Sequence, residues 1–149
     1  MAAHNELGKW GEDCAVDYLQ RMDYAIVARD WKSGHRDIDI IAMDEGTMVF
    51  VEVKTRRNRA FIDPEESVDY RKRRNLQGAI NHYVKFFHVD SNIRFDIITV
   101  VGTLGDTHPE IEHSSRCTSL HTQHSIPSSM SSLPQFGHSS LSYVPVARS

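Results

Sequence analysis

Apolar side chains recur at three- and four-residue steps through NELGKWGEDCAVDYLQRM. Leu7, Gly11, Cys14, Tyr18 and Met22 form one stripe, widened by Ala15 and Leu19. That period predicts an amphipathic helix over 5–22, with Asn5 as its N-cap. YAIVARDW changes to a β-branched, strand-like pattern. DIDIIAMDEGTMVFVEVKT then alternates around a central glycine, as a hairpin does. FIDPEES reads as a loop or a first helical turn. From Tyr70 to Phe87 the helical period returns, with Leu76, Ala79, Ile80, Tyr83, Val84 and Phe87 on one face. IRFDIITVV is the last clear strand. The order α-β-β-β-α-β predicts an α/β fold, a mixed sheet flanked by helices.

Beyond Glu112 the pattern vanishes. No acidic residue follows, and Ser, Thr, His and Pro dominate with neither a 3.6 nor a 2.0 period. A segment of this kind buries too little surface to offset its ordering entropy. The expected organisation is therefore a folded domain over 1–112 and a disordered Ser/His/Pro-rich tail over 113–149. Five of the nine histidines lie between His108 and His138, but their spacing fits no fixed metal site.

The hairpin places charges where a core strand wants none. If Glu45 and Gly46 are the central turn residues, Asp44 pairs with Thr47, and in the same register Asp39 faces Glu52 and Asp37 faces Lys54. These four then share one face, while Ile38, Ile40, Val51 and Val53 share the other. A slip of one residue would separate them. Two directly opposed carboxylates repel unless a proton or cation lies between them. Mg²⁺ suits the position, because it takes hard oxygen ligands and is usually held by one or two carboxylates plus phosphate oxygens. An ion pair of Asp37 with Lys54 would account for part of the cluster, but not for Asp39 facing Glu52.

Composition adds one asymmetry. The net charge is −3 over 149 residues, which argues against a nonspecific polycation. Yet Lys54–Arg74 holds eight Lys and Arg against four Asp and Glu, so that window is +4 and the remainder −7. Such an imbalance can mark an anion-binding face. There is no run of eighteen apolar residues, and the N-terminal MAAHNELGKW has no apolar signal core, so a cytoplasmic protein without a membrane span is expected. Cys14 and Cys117 lie far apart and form no CxxC, as expected of reduced thiols with no catalytic part.

An Asp near the end of one strand followed by Glu-x-Lys on the next resembles the PD-(D/E)XK nuclease core of restriction endonucleases and Holliday-junction resolvases. The wider set is more specific: LGKWGEDCAVDYL, RDIDIIA, VFVEVKTR, SVDYRKRRNL and RFDIITV, in that order and spacing, resemble the small bacterial YraN family over about residues 5–113. The resemblance implies a restriction-endonuclease-like fold in which Asp39 and Glu52 are metal ligands and Lys54 is the catalytic lysine. It also implies that the Val53 carbonyl completes the metal shell, that Glu12 is brought from the first helix, and that Lys72 is a basic residue at the start of the second. A Gly-Glu pair common ahead of Ile-Asp is here Arg36-Asp37. The family tends to end near an Ile-Glu-His stretch, here Ile111–His113, so the remaining tail is expected to be an appended or out-of-frame extension.

The function so implied is metal-dependent phosphodiester hydrolysis on nucleic acid, DNA first, with Mg²⁺ or Mn²⁺ as cofactor. A cation held by Asp39 and Glu52 would polarise the phosphate and lower the pKa of water. Lys54 would orient or activate the attacking water, and Glu12 would bind a second cation or accept a proton. Arg56, Arg57, Arg59, Arg71, Lys72, Arg73 and Arg74 would meet the backbone phosphates, although a charge run is often only a solvated face. Phe61 and Tyr70 could stack on bases, or simply pack. Gln77, a turn past the basic run, could face the site or solvent. Resolvase-like enzymes often act as homodimers on two strands. Two other readings remain: a noncatalytic nucleic-acid-binding or assembly protein that keeps the fold, and an interaction module in which the charges are only ion pairs.

Overall fold

The computed structural model describes residues 2–61 and 70–116, without the side chains of residues 2–4, 61, 70–73 and 116. Two helices and five strands follow in the order α1 (Ala2–Arg21), β1 (Ala25–Ser33), β2 (Arg36–Asp44), β3 (Thr47–Arg56), α2 (Tyr70–Phe86), β4 (Asn92–Val101) and β5 (Glu110–Arg116). The strands form one sheet in sequence order, antiparallel except for the parallel pair β3 and β4. A parallel pair needs a crossover, and α2 supplies it.

The hairpin turns as its sequence predicts. Glu45 and Gly46 both have positive φ, 47° and 86°, the requirement of a two-residue type I′ turn. Asp44 pairs with Thr47, and the ladder continues to Ile40 and Val51.

Each helix covers one face of the sheet. α1 packs Ala15 and Leu19 onto Ile40, Ala42, Val49, Val51, Ile98 and Val100. α2 packs Ala79, Ile80, Tyr83 and Val84 onto Ile38, Ile41, Phe50, Phe95 and Ile97. At Gly11 α1 comes so close to β3 that an added Cβ would lie 3.0 Å from Thr55 Cβ and overlap its Oγ1. No helix among the described residues is long and apolar enough to cross a membrane.

Four expectations are corrected. Asn5 lies inside α1, which starts at Ala2, so it is no N-cap. Phe87 is half exposed and lies just past the end of α2. Ile38 and Ile40 point to opposite faces, one in each core cluster. The sheet does not end with β4: β5 runs past residue 112 to Arg116, pairing Val101 with Glu110 through Phe95 with Arg116. His113–Arg116, expected in the tail, therefore belong to the folded sheet. The rest of that tail and most of FIDPEES lie outside the described residues.

Candidate active site

The ladder between β2 and β3 stops at Ile40 and Val51, one step before Asp39 would face Glu52. Asp39 instead turns its carboxylate to β3, where Oδ2 accepts the Val53 N–H at 2.8 Å. The side chain thus takes the place of a backbone partner, which fixes the carboxylate and answers a backbone donor that needs one. The same break in alternation sends Ile38 and Ile40 to opposite faces.

A cavity of about 650 Å³ opens where the ladder stops, within the range of small-ligand and substrate sites. Its acidic wall comes from three elements: Glu12 of α1, Asp37 and Asp39 of β2, and Glu52 of β3. Val53 lines it as well. Glu52 is buried, 7 % exposed, and Asp39 is half-buried. Burial pushes the Glu12 carboxyl up from the ordinary glutamate value, and the charges of Asp39 and Asp30 push it further against the opposing pull of Arg29. Glu12 thus senses Asp39 across the cavity, from α1 to β2.

Glu12, Asp39, Glu52 and Val53 are therefore brought together on one cavity. Lys54 follows Glu52 by two residues on β3 and is half-buried, but is not among the lining residues. Its ladder partner is Thr99 of β4, while Asp37 pairs only with Lys32 of β1, so no strand pairing joins Asp37 to Lys54. Among the basic residues, Arg56 donates to the Thr55 carbonyl at 3.3 Å. Arg57 and Arg74 are exposed. Arg59 is drawn to Glu110 and Glu112 of β5. The side chains of Arg71, Lys72 and Arg73, like those of Phe61 and Tyr70, lie outside the described residues. Gln77 donates to Asn81 at 3.2 Å along α2 and is not among the lining residues. At Cys14, burial and the charges of Asp13 and Asp17 raise the thiol pKa, the opposite of what a nucleophile needs.

The donor set is hard: carboxylates from three elements, with no thiolate. No group of three or more acidic, imidazole or thiol side chains among the described residues is spaced to hold a metal by itself. Mg²⁺ and Mn²⁺ are the ions that take one or two hard carboxylate ligands and keep waters or phosphate oxygens for the rest.

A family model described as "Uncharacterised protein family UPF0102" matches residues 11–100, which include Glu12, Asp39 and Glu52. The chain belongs to the UPF0102 family. A UPF0102 protein of Bacteroides fragilis is 49 % identical over 113 residues, covering 76 % of this chain and 92 % of its own. One from Bacteroides thetaiotaomicron is 50 % identical over 106 residues, covering 71 % and 88 %. A third, from Porphyromonas gingivalis, is 42 % identical over 113 residues, covering 76 % and 84 %. UPF0102 membership agrees with the YraN-type motifs, and the relatives are bacterial.

Sequence reasoning missed several residues. His35, Arg36, Asn75 and Leu76 also line the cavity, brought there by the β1–β2 turn and by α2. None stands out in sequence, because a turn and a helix face reach the site only through the fold. Asp96 was missed too, although it interrupts apolar RFDIITV much as Glu52 interrupts VFVEVKT.

Proposed function

We propose that this protein is a divalent-cation-dependent nuclease that hydrolyses phosphodiester bonds in nucleic acid, DNA first. The observation that carries this reading is the convergence of Glu12, Asp39 and Glu52, from three separate elements, on one cavity. A divalent cation takes one or two carboxylates with waters or phosphate oxygens, and it offsets the repulsion between like charges on one cavity. Asp39 and Glu52 would hold the cation, with the Val53 carbonyl beside them. A cation bound there supplies Lewis-acid polarisation of the phosphate and a lowered pKa for water near neutral pH.

The chain's own groups do the rest. The Val53 N–H holds Asp39 in place. Glu12, its carboxyl pushed up by burial and by Asp39, is placed to accept the proton leaving the attacking water. Lys54 offsets negative charge developing on the phosphate from its place on β3 beside the cavity. Exposed Arg57 and Arg74 extend the basic surface available to the backbone phosphates.

The test is cleavage of labelled duplex, flapped, branched and single-stranded DNA, and of single-stranded RNA, by the full chain with Mg²⁺ or Mn²⁺. Wild type should cleave at least one substrate. Glu52→Gln and added chelator should each reduce the rate by at least about a hundredfold, the scale on which loss of one electrostatic group acts. Salt-sensitive DNA binding without any cleavage would instead favour a noncatalytic binding or assembly role.

A further inference from the structure

The cavity presents a difficulty for its own substrate. Four carboxylates line it, and a polyanion has to enter. Among the described lining residues one carries a guanidinium: Arg36, the first residue of β2, just past the β1–β2 turn. It is exposed and forms no ion pair among the described residues, unlike Arg59 and Arg94, which are bound to carboxylates.

Arg36 is also seated. Its guanidinium lies against the backbone of α2 at Gly78, where an added Cβ would fall 2.7 Å from Cζ and 3.2 Å from Nε. Glycine inside a helix is disfavoured by roughly 0.5–1 kcal/mol relative to alanine. Here its missing side chain leaves room for a planar cation to lie across α2 at the cavity rim. His35, on the same turn, and Asn75, one helical turn before Gly78, add polar groups to that rim.

We propose that Arg36 is a substrate-positioning residue that binds a backbone phosphate next to the one facing the carboxylates, and that Gly78 is its seat. The inference rests on the reading of the cavity as a nucleic-acid site. A guanidinium fork pairs with two phosphate oxygens at once, so a fixed Arg36 sets the register of the strand as well as attracting it. Entry of the polyanion is then favoured at the rim, and the acidic wall is met only by the linkage to be cut.

The experiment is fluorescence anisotropy of a short labelled duplex, and of its single strand, with the full-length protein in EDTA across a KCl series. Wild type is compared with Arg36→Ala, Arg36→Lys and Gly78→Ala, each checked for a cooperative thermal transition. Arg36→Ala should weaken binding several-fold. It should also flatten the slope of log K against log[salt] by roughly 0.9 for the duplex and 0.7 for the single strand, one phosphate contact. Arg36→Lys should restore the slope but only part of the affinity, because an ammonium lacks the fork. Gly78→Ala, with Arg36 intact but displaced, should fall between. Should Arg36→Ala fail to fold, the lysine and Gly78 variants carry the same comparison. Wild-type affinity and slope in Arg36→Ala, with cleavage still lost in Glu52→Gln, would overturn the role of Arg36 and leave the nuclease reading standing. Absence of binding by wild type, with cation-dependent cleavage retained, would overturn the role of Arg36 alone; absence of both would overturn both.

Discussion

Acidic side chains gather at two places in this fold, and their surroundings differ. Asp96 of β4 is fully buried, yet every side of it is answered. Arg94 donates from Nε to Oδ1 at 2.9 Å and from one terminal nitrogen to Oδ2 at 3.0 Å, a two-point fork. His113 of β5 donates from Nε2 to Oδ2 at 2.8 Å. Arg94 also reaches Asp44 at 3.0 Å and the Tyr24 hydroxyl at 2.7 Å, and Tyr18 of α1 meets the other His113 nitrogen at 3.3 Å. Burial pushes the Asp96 carboxyl up, but the hydrogen bonds from His113 and Arg94 and the Arg94 charge outweigh it and hold it low. Glu12 lies only six residues before Tyr18 on α1, but burial and the charges of Asp39 and Asp30 outweigh the pull of Arg29, and its pKa moves up. One acid is neutralised by partners within the fold. The other has its pKa raised by burial and by the like charges of Asp39 and Asp30, against the pull of Arg29.

The largest test of this contrast is Asp96→Ala. Removing one partner of a buried charge network leaves the rest uncompensated and costs about 3–5 kcal/mol. Urea denaturation at neutral pH should show that loss. The pH dependence follows from the lowered Asp96 pKa. Its contribution is present above the unfolded carboxyl value and is lost as pH falls through the folded one. Wild type should therefore weaken in acid along a limb that Asp96→Asn flattens. If Asp96→Ala costs less than about 1 kcal/mol, the network is not what holds β5 and the contrast fails.

The contrast also shows what the sequence could and could not convey. Arg94-Phe95-Asp96 and Glu52-Val53-Lys54 carry the same mark, opposite charges two apart in an apolar strand, so they cannot be told apart by pattern. Their partners decide, and the decisive partner of Asp96 is His113, seventeen residues on. β5 itself alternates Glu110, Ile111, Glu112, His113, a period of two with a single apolar residue. Its inward His113 is tied down by Asp96 and flanked by Tyr18 and Tyr24 more than by apolar burial. The helices, the hairpin turn and its register were legible, because short-range period and turn chemistry specify them. The break at Asp39 was not. β2 buries Ile38, Ile40, Ile41 and Ala42 against helices on both faces, so its parity carries no sign of the switch. The break nevertheless leaves Asp39 and Glu52 on one cavity, as the register argument requires, although by a side-chain contact to β3 in place of a ladder step.

A middle-sized effect should separate the two ends of α1. Gly11 lies next to Glu12 and against Thr55, a turn and more from the Tyr18 contact with the Asp96 network. Gly11→Ala gains about 1 kcal/mol of helix propensity. It also forces a methyl into a β-branched neighbour on a central strand, where overpacking costs roughly 1–3 kcal/mol. The net expectation is a loss of up to about 2 kcal/mol, with most of it recovered when Thr55→Ala is added. Because the push falls at the cavity end, cation-dependent activity should decline more than the acid limb set by Asp96 changes. A variant that alters the acid limb but not activity would mean the two regions are not independent.

The smallest effect is the most diagnostic. Glu12 has a raised carboxyl pKa in the fold, so its contribution to stability is present below the unfolded value and lost as pH rises through the folded one. Near pH 7 its charge therefore works against the fold, and Glu12→Gln should raise the melting temperature slightly. That gain should shrink as the pH is lowered and wild-type Glu12 takes up its proton. Divalent cation should reverse the order. A ligand that binds only the native state stabilises it by RT ln(1 + [L]/Kd), about 1.4 kcal/mol at ten times Kd, and wild type should gain more from Mg²⁺ or Mn²⁺ than the glutamine variant does. A Glu12→Gln protein that melts lower at every pH, and responds to cation as wild type does, would show Glu12 to be compensated inside the fold as Asp96 is. The acidic cavity would then be a second structural network, and the case for a cation there would rest on Asp39 and Glu52 alone.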